Sequence, residues 1–114
     1  MQLYLIRDVT TSYLTFGFCQ DVEAELTAHQ AARAHPLELL YAFEVHYPEL
    51  LLLVWDLGFL RRLALGSYKD GAWYALPADE EQTLVEYFDV LSTVLTPVKL
   101  SWPPSPFRRA LARL

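Results

Sequence analysis

The chain has one cysteine, Cys19, so no internal disulfide and no cysteine-built metal centre can form within it. A lone cysteine of this kind reads as a small buried hydrophobe. Asparagine is missing, and arginine outnumbers lysine seven to two. A high-temperature source and GC-rich coding both produce that bias, so it does not tell the two apart. There is no long apolar run either. The most apolar stretch, Leu50 to Trp55, is closed by Asp56 and soon followed by Arg61 and Arg62, which leaves it too short to span a bilayer. The start, Met1-Gln2-Leu3-Tyr4-Leu5-Ile6-Arg7, lacks the charged beginning, apolar stretch and small-residue cleavage site of a signal peptide. We therefore expect a cytoplasmic protein without membrane attachment.

Positive charge is scarce as well. Residues 1–98 hold five bases against fourteen acids, whereas 99–114 hold Lys99, Arg108, Arg109 and Arg113 and no acid. An acidic body is a poor generic match to a polyphosphate backbone, which proteins bind largely through basic contacts. What the chain does have is apolar substance: 54% of its 114 residues, with 20% charged, a composition that folds. That length closes one hydrophobic core. We expect one domain over residues 1–97 and a proline-rich basic tail over 98–114.

Gln2 to Arg7 and Tyr13 to Phe18 read as two strands joined by the polar turn Asp8 to Thr11, a hairpin. Asp21 is the expected cap of a helix on which Val22, Leu26, His29 and Arg33 share one face. His35-Pro36 stops it, because proline disfavours a helical residue before it. Leu37 to Val45 reads as a central buried strand. Pro48 suits the first position of a helix reaching about Leu65, although Leu50 to Trp55 also fits a buried strand. Ala72 to Leu76 is expected as a short strand. Asp79 then caps a last large helix with Leu84, Phe88, Leu91 and Leu95 facing inward, ended by Pro97. The order β-β-α-β-α-β-α, followed by the tail, is that of an α/β (α+β) domain.

Five short motifs stand in this order. They are Tyr4-Leu5-Ile6, Thr15-Phe16-Gly17, Asp21-Val22-Glu23-Ala24-Glu25-Leu26, His35-Pro36-Leu37-Glu38-Leu39-Leu40-Tyr41 and Gly71-Ala72-Trp73-Tyr74. Together they resemble the GIY-YIG nuclease superfamily, in particular its phage-associated branch with a K-I-G second strand and a G-E-W-F turn. The resemblance runs from about Tyr4 to Tyr87. It implies a small, mostly antiparallel sheet of three or four strands flanked by about three helices.

Members of that family cut phosphodiesters with a tyrosine near the scissile phosphate, an arginine on the first helix and a carboxylate holding one divalent metal. Such chemistry needs a cation to offset phosphate charge and oxygen ligands for a hard metal. By resemblance Tyr4 matches the first tyrosine, His29 stands in a family-like position, and Asp56 aligns with the metal-binding glutamate. Three departures are plain. Thr15 stands where Tyr or Lys is expected, Ala24 and Glu25 occupy the arginine positions, and Leu60 replaces a histidine. Each retained residue also has a structural reading: Tyr4 as a core tyrosine, His29 as the partner of Glu25 one helical turn away, Asp56 as a helix-surface acid. Trp73 and Tyr74 read as core anchors. Arg61, Arg62 and Lys69, with Arg108, Arg109 and Arg113, form a candidate surface for nucleic acid or a protein partner, or else a solvated face with the tail against its own acidic body.

The expected function is a catalytically degenerate, protein-binding or regulatory module, in the phage context a regulator, that needs no cofactor. It would bind a protein partner, or a second copy of itself, through the apolar segment 50–65. Two alternatives stand beside it: a magnesium- or manganese-dependent endonuclease acting on DNA, and a DNA-binding accessory domain without catalysis.

Overall fold

A computed structural model describes residues 1–46, 49, 52–58 and 73–100, and the strand at its centre is β1, Gln2–Asp8. β1 pairs antiparallel with β2, Leu14–Cys19, on one side and with β3, Leu37–Glu44, on the other. A two-residue strand, β4, Thr96–Pro97, adds to the far side of β3 and gives the order β2-β1-β3-β4. Three helices complete an α+β architecture. They are α1, Val22–Ala32; α2, described over 52–58; and α3, Ala78–Leu91.

The sheet is covered on both faces, which is why β1 is an unbroken apolar run rather than an alternating one. Tyr4 and Ile6 pack under α1 with Val22 and Leu26. Leu3 and Leu5 point the other way, into a core shared with Leu53 and Leu57 of α2 and Leu84 and Phe88 of α3. Each such side chain removed from water contributes roughly 1.5–3 kcal/mol before the entropy of ordering the chain is counted.

β3 serves both cores through one irregularity. Leu5 pairs with Tyr41 but Ile6 pairs with Leu39, leaving Leu40 as an extra residue. Side chains alternate along a strand, so one inserted residue reverses which face the following ones meet. Leu37 and Leu39 therefore lie on the α1 side, while Tyr41, Phe43 and Val45 lie on the α2–α3 side.

The helix ends have local causes. Asp21 caps α1, its carboxylate accepting from Glu23 N at 3.0 Å and Ala24 N at 3.4 Å. Arg33 is already extended, so α1 stops three residues before Pro36. Residues 52–55 are helical, which decides between the two readings of that stretch.

Two expectations about the second half are corrected. The strand anticipated over 72–76 is, in its described part, a single bridge: Tyr74 exchanges hydrogen bonds of 2.8 and 3.0 Å with Leu14. Pro77 follows closely and has no N–H with which to extend a ladder. The last helix begins at Ala78 behind Pro77, with Asp79 in its first turn rather than at its cap, and ends at Leu91 rather than at Pro97. Pro97 instead pairs with Phe43 in β4, an edge position where a proline is tolerated. Val98 donates to Ala42 O at 2.9 Å and joins the α1-side core, so the packed body reaches past residue 97. Among the described residues, no helix is long and apolar enough to cross a membrane.

Candidate functional site

The α1 face of the sheet gathers most of the chemistry-bearing side chains. Tyr4 sits on β1 opposite Gly17 of β2. One turn of α1 crosses above it. The Tyr4 hydroxyl donates to Glu25 Oε1 at 3.3 Å, and His29 Nε2 lies 3.3 Å from the same oxygen. The histidine contact lacks hydrogen-bond alignment, and it becomes an ion pair only when the ring is protonated. Tyr4, Glu25 and His29 thus meet, as their i, i+4 spacing and strand position suggest.

The group continues along α1. His29 meets the Trp73 ring edge-on at 5.5 Å between centroids, and the Arg33 guanidinium lies 4.5 Å from the centre of that indole. This is cation–π distance. Arg33 Nε also donates to Asp8 Oδ2 at 2.8 Å, beside His35 Nδ1 at 3.1 Å. The other Asp8 oxygen accepts from Thr10 N at 2.9 Å and Thr11 N at 3.1 Å. Burial by itself raises a carboxyl pKa, but the bonds from Thr11, Arg33, His35 and Thr10 outweigh it and bring Asp8 from 3.8 to about 2. A fully buried carboxylate therefore ties the hairpin turn to the junction between α1 and β3.

Thr15 shares this face and is fully buried, and among the described residues its hydroxyl has no hydrogen-bond partner. Cys19 is half-buried at the end of β2. Burial, and then the charge of Glu25, push its thiol up to about 11, so it is protonated and inert at neutral pH.

Asp56 lies elsewhere. It is on α2, beyond the opposite face of the sheet, and accepts from the Tyr87 hydroxyl at 3.1 Å. Burial, and then this bond to Asp56, push the Tyr87 hydroxyl well above its ordinary value. A parallel contact joins Tyr41 to Asp89 at 2.7 Å, with the tyrosine pushed up to about 12 by burial and then by Asp89. The sheet separates Asp56 from Tyr4 and His29. The described residues therefore do not make the single metal-and-tyrosine centre that the resemblance implies. Among the described residues no group of three or more His, Cys, Asp or Glu is placed to hold a metal ion. Arg61, Arg62, Lys69, Arg108, Arg109 and Arg113 lie outside the described residues.

The outer faces of α2 and α3 hold a different kind of feature. Leu53 and Leu57 are buried, but Leu52 and Trp55 are 71% and 80% exposed, and Val90 near the end of α3 and Val94 just past it are 65% and 71% exposed. Sequence reasoning singled out the first pair, within the apolar segment 50–65, and missed the second. The signal was available, since Val90 and Val94 are four apart and off the inward stripe of Leu84, Phe88, Leu91 and Leu95. In the sequence Asp8 reads only as a turn residue, although Arg33, expected on the inward stripe of α1, called for a buried acid. Set against protein-family models, curated proteins and solved structures, the chain matches none of them.

Proposed function

We propose that this domain is a GIY-YIG-like scaffold that has exchanged phosphodiester chemistry for protein binding. The observation that carries the reading is the outward face of α2, where Leu52 and Trp55 stand open while Leu53 and Leu57 hold the helix to the core. Exposed single apolar residues are ordinary, but a leucine and a tryptophan one turn apart on a secured helix form a docking ridge. Tryptophan is among the side chains most often central to protein interfaces. The α1 face supports the loss of catalysis. Glu25 places a carboxylate beside Tyr4, so a phosphate approaching that hydroxyl would meet negative charge.

The test compares the full chain with a Leu52→Ser, Trp55→Ser variant as baits in extract of the native host. The reading expects the protein captured by the full chain to be lost with the variant, and it fails if both retain the same proteins. A second assay incubates the purified chain with DNA and magnesium or manganese. Metal-dependent cleavage that disappears in Tyr4→Phe would establish the nuclease reading instead.

A further inference from the structure

The two helices carrying the exposed apolar residues run antiparallel. α2 begins near the end of β3 where Glu44 faces Gln2, whereas the first turn of α3 sits at the other end of β1, where Glu81 meets Arg7 at 2.8 Å. Tyr87 and Asp56 bridge them. Leu52 lies one turn before Asp56 and Val90 one turn after Tyr87, so the Tyr87–Asp56 bond sets both beside the same junction, with Val94 following past the end of α3. Leu52 and Val90 thus border one seam between the helices.

Among the described residues of α2 and α3 the charge has one sign. The described residues of α2 and α3 include Asp56, Asp79, Glu80, Glu81, Glu86 and Asp89, and no lysine, arginine or histidine. Glu81 is answered by Arg7; Glu86 is met by neutral Gln82, and Asp56 and Asp89 by tyrosine hydroxyls. A second copy of the chain would bring the same acids against themselves, which disfavours a symmetric pairing through this face.

We propose that the α2–α3 seam receives a basic amphipathic helix of another protein. Apolar side chains at i, i+3, i+4 and i+7 of that helix would fill the seam beside Leu52, Trp55, Val90 and Val94. Its flanking lysines or arginines would meet Asp56, Glu86 and Asp89. This is helix-in-groove recognition with charge complementarity setting orientation and encounter rate. The inference rests on the protein-binding reading and names the chemistry of the partner.

The probe is a labelled peptide of about five helical turns, built from leucine and lysine with leucines in one stripe. It is titrated against the full chain by fluorescence anisotropy. One control peptide has the same composition scrambled to destroy the stripe; the other has glutamate in place of lysine. The expected result is binding at least roughly tenfold tighter for the striped basic peptide than for either control, weakened by salt. Leu52→Ser with Trp55→Ser, and separately Glu86→Lys, should each weaken it by about tenfold. Equal binding of striped and scrambled peptides, or indifference to both substitutions, overturns the proposal. So does binding that emerges only when Arg108, Arg109 and Arg113 are changed to glutamate, because the occupant would then be this chain's own tail. If no peptide binds while Leu52→Ser, Trp55→Ser still abolishes host-protein capture, the basic-helix inference fails and the protein-binding reading stands. If capture also survives those substitutions, the reading itself falls.

Discussion

Glu25 accepts a hydrogen bond from the Tyr4 hydroxyl at 3.3 Å, in the place where the nuclease resemblance would set an arginine. The bond is long and partly buried, and Tyr4 is otherwise packed with Ile6, Val22 and Leu26. Tyr4→Phe keeps that packing and removes only the hydroxyl. We expect it to lower unfolding stability by about 0.5–1 kcal/mol. Urea denaturation of both proteins checks this, and a loss of several kcal/mol would mean that the hydroxyl carries a role beyond this contact.

Asp8 is the more consequential acid. It is fully buried and bonded by Arg33, His35 and two backbone N–H groups. Asp8→Ala removes the carboxylate to which Arg33 Nε donates and leaves Thr10 N and Thr11 N without that acceptor. The expected cost is about 3–5 kcal/mol. Because the folded carboxyl is depressed to about 2 from 3.8, its charge contributes stability at pH values above the unfolded value. That contribution fades as pH falls from about 4 through about 2. The gap in urea midpoint between the wild-type chain and Asp8→Asn should therefore be constant near neutrality and narrow across that acid window. A gap that widens on acidification would contradict the assignment.

Thr15 offers the opposite sign. Its hydroxyl is buried opposite Ile6, without a hydrogen-bond partner among the described residues. Valine has nearly the same shape and no polar atom to desolvate. Thr15→Val should raise stability by roughly 1 kcal/mol. A destabilised variant would point to a partner for that hydroxyl, such as a bound water.

How much of this was legible in sequence depends on whether the cause is local. The hairpin, the Asp21 cap and the helix bearing Val22, Leu26 and His29 are written in nearby residues and are formed as expected, whereas Arg33, expected on the same stripe, is already extended at the end of α1. The bulge at Leu40 was not legible. Leu39-Leu40-Tyr41 is apolar throughout, so no alternation marks where the strand changes faces, and only pairing with Leu5 and Ile6 fixes it. β4 escaped for a similar reason: Thr96–Pro97 has no strand signature and is recruited by the exposed edge of β3. The separation of Asp56 from Tyr4 is likewise tertiary. A motif match places residues in order along the chain, but it does not say on which side of the sheet a helix will settle.

The two faces of α2 allow packing and recognition to be pulled apart by adjacent substitutions. Leu57 is 2% exposed and packs in the same core as Phe43 and Phe88, so Leu57→Ala should cost about 2–5 kcal/mol through lost burial and the cavity left behind. Leu52 is largely solvated, and Leu52→Ser should change stability by no more than about 0.5 kcal/mol. The binding consequences run the other way at fixed folded concentration, with Leu52→Ser losing the partner and Leu57→Ala retaining it. Thermal melts beside the peptide titration check both halves. If Leu52→Ser destabilises the fold as much as Leu57→Ala does, the outward leucine belongs to the core and the seam between α2 and α3 is no docking surface.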